Sequence, residues 1–363
     1  MKIIALHYIT VTFIILLIIT GILIITAIIF RIFHRNNEAY LNKKKDKLYP
    51  LLFEYLDGKI NRGTFSQLVG NKKKDWFIFE ELIFDLMSNI EGQEKQKLIH
   101  LLRIPVLLER HNHELLSENK KRIVEVCRYY EHIQFVNPAI VRRLEYICLN
   151  GTQLEAIAAA SAMTGSMDNQ IRARAILMLA RRDHVSAMSI LDILYKFHEP
   201  DNEQPELEGK YLEKVIEDDK IPPKNLAILI KGLADLDYID QAPFIQKIFL
   251  NKIELQEFPP VIEAVIYALG TFYYIDAINL IRHYLLHSDP AIRKACITSL
   301  AGFGDPDDLI TITSYLNDPD LTVRLTTVKA LQSYGVDGLE QLKKPGNLQQ
   351  LTMNTDFEYI KVL

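Results

Sequence analysis

Residues 289–304 read DPAIRKACITSLAGFG, residues 320–335 read DLTVRLTTVKALQSYG, and matching positions lie 31 apart. Asp289 pairs with Asp320, Ile292 with Val323, Arg293 with Arg324, Leu300 with Leu331 and Gly304 with Gly335. A period this short constrains the fold more than any other feature. About thirty residues make one supersecondary unit, too thin to bury its own apolar side, so neighbouring units must stack. Another 31 residues back, PPVIEAVIYALGTF brings Ile262 to the place of Arg293 and Leu269 to that of Leu300. A looser frame continues through Asp168, Arg172 and Leu179 in DNQIRARAILMLA and Arg142 and Leu149 in NPAIVRRLEYICL. Leu226 and Leu233 keep the same seven-residue offset.

Between these helices runs a second type of segment, in YIDAINLIRHYLLHSD and GDPDDLITITSYLND. Ile278, Ile281 and Leu285 match Leu309, Ile312 and Leu316 at the same period, and apolar spacing of three and four marks an amphipathic helix. Each unit therefore reads as helix, turn, helix, and the expected class is all-α. The turns carry their own signals. Asp289 can cap a helix with Pro290 at its first position, where no N–H is needed; Asp305 before Pro306 and Asp318 before Pro319 suggest the same device. Gly304 and Gly335 fall past helix ends, where positive φ is cheap. Arg293 and Arg324 lie in a first turn, against the helix dipole, and so should point to a carboxylate, the aspartates of adjacent units being nearest.

Asp-Pro-x-x-(Val/Ile)-Arg with Leu seven residues on, then Gly-Asp-Pro and another apolar helix, resembles HEAT-like repeats. The short period is similar to the bilin-lyase type. The resemblance is strong over 260–335, fair over 138–197 and weak elsewhere. It implies a right-handed α-solenoid with the first, DPAIR-type helices outside and the second helices lining a concave face. It implies no single activity, because fold and function separate.

The other dominant feature is YITVTFIILLIITGILIITAIIF, 23 residues from Tyr8 to Phe30 without a charge. At about 1.5 Å per residue this spans a hydrocarbon core of about 30 Å. It is longer than a signal-peptide core, and no A-x-A-like cleavage site follows, so a retained transmembrane helix is expected. Arg31, Arg35, Lys43, Lys44, Lys45 and Lys47 follow closely, and the positive-inside rule puts them in the cytoplasm. The span itself lacks Asp, Glu, Lys and Arg, which argues against a transport path. Ile-, Lys- and Asn-rich usage suits an AT-rich bacterium, and the span with its flanking charges gives the inner membrane as the expected location, N-terminus outside.

Charge sharpens the partner class. Residues 1–47 hold seven Lys/Arg against two Asp/Glu, and residues 48–363 hold 35 against 44. A basic collar beside an acidic body suits a lipid surface and disfavours nucleic acid. The organisation is thus a short extracytoplasmic N-terminus (1–7), the transmembrane helix (8–30), a basic juxtamembrane segment (31–47) and a helical region (48–135) of degenerate repeats or a capping bundle. The repeat solenoid (136–344) and a C-terminal cap (345–363) follow. In 48–135, Asp75 reads as a helix cap. Residues 199–219 hold nine acids against two lysines and read as part of an inserted acidic loop (199–222) carrying a short helix, GKYLEKVIED.

Chemistry is not visible. No phosphate-loop, dinucleotide, zinc-protease or nucleophile-elbow string occurs, and Cys127, Cys148 and Cys296 lie apart in apolar helices as small buried hydrophobes. His283 and His287 have metal-compatible spacing but no third ligand in sequence, so neither a metal nor a cofactor is expected. Tyr129, Tyr130, Tyr273 and Tyr274 read as core or ridge aromatics, with an exposed pair able to anchor a partner. The function expected is a non-catalytic, membrane-tethered scaffold binding a protein partner. Its contact row on the second helices is Asp192, Lys247, Arg282 and Thr313, with Asn279, His283 and Ser314. Charge reversal at Arg282 with Lys247 should then abolish partner capture at unchanged melting temperature. Two alternatives are a regulatory subunit of a membrane enzyme such as a glycosyltransferase and, disfavoured by the acidic body, a HEAT-like lyase or DNA glycosylase.

Overall fold

The computed structural model describes residues 2–70, 72–117, 119–134, 137–198 and 205–344, with side chains from residue 16 onward except at 33, 36, 205 and 206. The expected C-terminal cap and residues 199–204 of the acidic loop lie outside the described residues. All described regular elements are helices, so the class is all-α. The chain divides into two compact units at Arg110/His111.

In the first unit, α1 runs unbroken over Lys2–Leu56, far past the expected end at residue 30. Pro50 lies within it. The helix changes environment along its length: Leu17, Leu23 and Phe30 are more than half exposed, whereas Leu48 and Leu52 are fully buried. Three helices pack on its later part or on each other, α2 (Arg62–Val69), α3 (Lys73–Met87) and α4 (Gly92–Leu102). Phe65, Ile78, Phe79, Leu82 and Leu98 make the core with Leu48 and Leu52. Asp75 is not a cap. It sits in the first turn of α3, buried, and accepts from Tyr40 Oη and from Lys44 Nζ at 3.1 Å. Lys44 also donates to Val69 O at 2.6 Å, which ties α1 to the end of α2.

The division falls within α5 (Pro105–Leu115). The second unit holds α6 (Lys120–Ile133), α7 (Pro138–Asn150), α8 (Gln153–Thr164), α9 (Asn169–Ala180), α10 (Ala187–Phe197), α11 (Pro205–Ile216), α12 (Pro223–Asp235), α13 (Ala242–Asn251), α14 (Pro259–Thr271), α15 (Ile278–Tyr284), α16 (Pro290–Phe303), α17 (Pro306–Ser314), α18 (Leu321–Ser333) and α19 (Gly335–Lys343). The expected 48–135 region is therefore shared between units, since α6 packs on α8.

Even-numbered helices from α6 to α18 pack each on the next in one row. Odd-numbered helices form the other row, with α7 on α9 and α9 on α11. Each hairpin joins an odd helix to the even helix after it, giving six modules from α7/α8 to α17/α18. This is an α-solenoid. Row membership differs from the expected frame in one way. The DPAIR-type helices α16 and α18 lie in the even-numbered row, whereas the looser matches α7 and α9 lie in the odd-numbered row with α13, α15 and α17.

The modules hold together through helix ends. Asp289 accepts from Ala291 N at 2.8 Å and Asp320 from Thr322 N at 2.8 Å, each capping its helix. Asp305 does the same for α17. Asp318 is not a helix cap. Its carboxylate receives Arg293 Nε at 2.8 Å and Nη2 at 2.7 Å, from the preceding module. Arg293 also donates to the carbonyls of His287 and Ser288, and 31 residues on Arg324 donates to those of Asp318 and Pro319. The repeat thus keeps an arginine clamp on the turn before its own helix. Arg172, in the other row, donates instead to the carbonyls of Lys196 and Phe197 at the end of α10.

The acidic stretch is also part of the stack. Its helix covers Pro205–Ile216, starting earlier than GKYLEKVIED, and α11 packs on α9 as a module's first helix. Glu208 is fully buried and accepts from Tyr238 Oη at 2.7 Å; Asp218 receives Arg181 at 3.1 and 2.6 Å; Asp219 pairs with Lys252.

Candidate functional site

A groove lies between α14 and α16, in the even-numbered row. An open groove of about 530 Å³ is lined by Glu263, Tyr267 and Thr271 of α14, by Lys294, Thr298 and Gly302 of α16, and by Tyr273 after α14. The two helices converge at its floor. A Cβ on Gly270 would run into Ser299, whose hydroxyl donates to Ile266 O at 3.1 Å. Small residues at this crossing let the backbones close, and the longer side chains above splay into walls.

Charge in the groove is unevenly compensated. Glu263 is met by Lys231 of α12 at 2.9 Å, and Tyr267 Oη donates to Asp235 at 2.8 Å. That hydrogen bond, followed by burial, raises the Tyr267 hydroxyl above the ordinary phenol range. Among the described residues Lys294 has no ion-pair partner, so it is the charge this groove presents to an occupant.

Tyr273 stands at the rim in an uncommon conformation. Its φ is +51°, a left-handed value that a bulky residue rarely takes, and its side chain is 66% exposed. It occupies the post-helix position that Gly304 and Gly335 hold after α16 and α18, with φ of 67° and 64°. The backbone closes as a Schellman turn, Tyr274 N to Leu269 O at 3.0 Å and Tyr273 N to Gly270 O at 3.1 Å. Asp237 repeats the conformation after α12 at φ +57°. Of the other three tyrosines singled out, Tyr129 and Tyr130 are fully buried and Tyr274 is half-buried.

The expected contact row is not brought together as a row. Asp192 lies on α10, in the even row, paired with Lys196 at 3.3 Å, whereas Lys247, Arg282 and Thr313 lie on α13, α15 and α17. Arg282 is engaged within the fold: it donates to Asp308 at 2.7 and 3.0 Å and to Asp305 at 2.9 Å. Thr313 and Ser314 donate to the carbonyls of Leu309 and Thr311, each at 2.7 Å. Lys247, Asn279 and His283 are exposed. His287 Nδ1 accepts from Asp289 N at 3.0 Å, and among the described residues no three His, Cys, Asp or Glu gather as metal ligands would. Cys127, Cys148 and Cys296 are buried and unpaired, and burial raises all three thiols, Cys148 to about 12.

The expected contact row drew on the segments between these helices, so the groove between α14 and α16 was not among the expected sites. Two signals were present: the small residues Gly270 and Ser299 at one crossing, and a tyrosine in the glycine position of the repeat.

Stacked helical hairpins define an α-solenoid protein. Residues 247–332, which span the groove, match the family model of HEAT repeats. No curated protein and no solved structure matches the chain. A protein-interaction scaffold is the role that HEAT repeats suggest.

Proposed function

We propose that this protein is a membrane-tethered, non-catalytic adaptor that holds a segment of a protein partner in the groove between α14 and α16. The carrying observation is the groove itself: an open cleft with an uncompensated Lys294 and a strained, exposed Tyr273. Backbone strain persists where surrounding structure over-determines it, and it concentrates at functional positions. The partner segment offers a carboxylate to Lys294 and an apolar side chain to the Tyr273 ring. Solenoids suit this role because their repeats present long surfaces.

The tether is α1. Its apolar stretch has the length and composition to cross a bilayer, and no part of its most apolar window is buried, unlike the core helix of a water-soluble protein. The basic side chains after Phe30 favour a cytoplasmic solenoid at a bacterial inner membrane, with the N-terminus outside. Tethering raises the effective concentration of the groove near other membrane proteins.

A photo-crosslinking residue placed at Thr298 in the full chain, expressed in cells, is expected to capture a discrete polypeptide. Lys294→Glu should remove that adduct at unchanged melting temperature. Adducts that survive Lys294→Glu, or none at all, would rule out the groove as the partner site.

A further inference from the structure

We propose that the first unit carries an anionic-lipid surface in which Lys72, Lys73 and Lys74 of its folded body join Arg31 and Arg35 of α1. The proposal rests on the membrane tether and adds the headgroup chemistry that the body recognises.

The argument starts from continuity. Because α1 is one helix from the apolar stretch into the core, the body's height above the bilayer is set by residue count, without a linker. The start of α3 meets α1 early. Lys74 Nζ donates to Asn37 Oδ1 and lies 4.5 Å from the centroid of the Tyr40 ring. Asn37 is seven residues past Phe30, about 10 Å along the axis at the helical rise. A headgroup layer extends roughly 5–7 Å beyond the hydrocarbon, so this end of the body begins about 3–5 Å past that layer, within a Debye length of it.

The fold then sorts the basic residues. Lys44 is taken by Asp75 and Val69 O, and Lys45 lies 3.7 Å from Glu81 and 4.0 Å from Asp85, so these two serve the body. Arg31 and Arg35 remain exposed on α1, and Lys72, Lys73 and Lys74 are exposed at the start of α3. On α1 between Arg35 and Lys43, Glu38 is the one acid, and it pairs with His34 at 3.2 Å. The lysine run of α3, which in sequence looks like ordinary solvated surface, is carried by packing to the membrane edge. Charge complementarity with anionic phospholipid follows, each surface lysine attracting such a leaflet.

Trp76, the single tryptophan, lies in the turn that carries the lysines and reports on them. The full chain is reconstituted into phosphatidylcholine vesicles doped with equal small fractions of spin-labelled phosphatidylglycerol or spin-labelled phosphatidylcholine, and Trp76 quenching is compared. The anionic probe is expected to be enriched roughly five-fold or more, with salt reducing the ratio. K72E/K73E/K74E should bring the ratio close to one, and the neutral K72Q/K73Q/K74Q, with its helix content checked, should lower it in the same direction. Equal quenching by both lipids in the native chain, or an unchanged ratio in both triple variants, overturns the proposal while leaving the tether intact. No incorporation into vesicles overturns the tether as well.

Discussion

Arg293 shows how much one side chain of the repeat does. Its guanidinium holds the Asp318 carboxylate of the next module and two carbonyls of its own turn, in a nearly buried setting. The Asp318 hydrogen bonds, partly opposed by burial, raise its pKa further, so it is charged at any working pH. Arg293→Lys keeps the charge and loses the planar fork, and is expected to cost about 2–3 kcal/mol in denaturant unfolding. Asp218 gives the pH counterpart. The hydrogen bond from Arg181 holds its carboxyl below the usual carboxylate range, against partial burial. A carboxyl depressed in the folded state contributes stability above its unfolded pKa, near 3.9, and loses it as pH falls through the lower folded value. Asp218→Asn should therefore lower the melting temperature at neutral pH and change it little at pH about 2. At Tyr273 stability and function should part. Tyr273→Gly relieves a left-handed conformation and is expected to stabilise by about 1 kcal/mol, while weakening partner capture at Thr298. Capture unaffected by Tyr273→Gly would remove the rim from the proposed site.

At the scale of the element, what matters is which helix faces which. Gly270 against Ser299 sets the approach of α14 to α16. Gly270→Ala forces the crossing apart and should cost about 1–3 kcal/mol, as overpacking does, and an altered crosslinking pattern at Thr298 should accompany it. Arg282 illustrates the opposite error. By periodicity it belongs to an exposed row, yet α17 brings Asp305 and Asp308 to it. Charge reversal there is expected to lower melting temperature, so it cannot serve as a clean test of binding. The 31-residue frame is legible in Asp289, Arg293, Leu300 and Gly304 because caps, clamps and C-terminal turns are local chemistry. It misled at Asp168 and Arg172, where the same local string starts a first helix, because row membership depends on neighbours about 30–40 residues away.

For the whole molecule, α1 joins an exposed apolar stretch and a buried core segment in one rod. If it spans the bilayer, the full chain should stay in the pellet after alkaline carbonate extraction of membranes. Extraction into the supernatant would sink the tether and, with it, the lipid surface on the first unit. What sequence alone determined is whatever depends on neighbours along the chain: helical class, thirty-residue modules, Asp-Pro starts, glycine ends and a 23-residue apolar stretch. Only the tertiary structure decided which row each helix joins, that Lys294 faces an open groove while Arg282 is engaged, and that Lys74 lies beside Asn37 and Tyr40. The reason is physical. Hydrogen bonds within a turn span a few residues and leave a readable pattern, whereas packing pairs residues far apart in sequence and is chosen by shape and charge once the chain has folded.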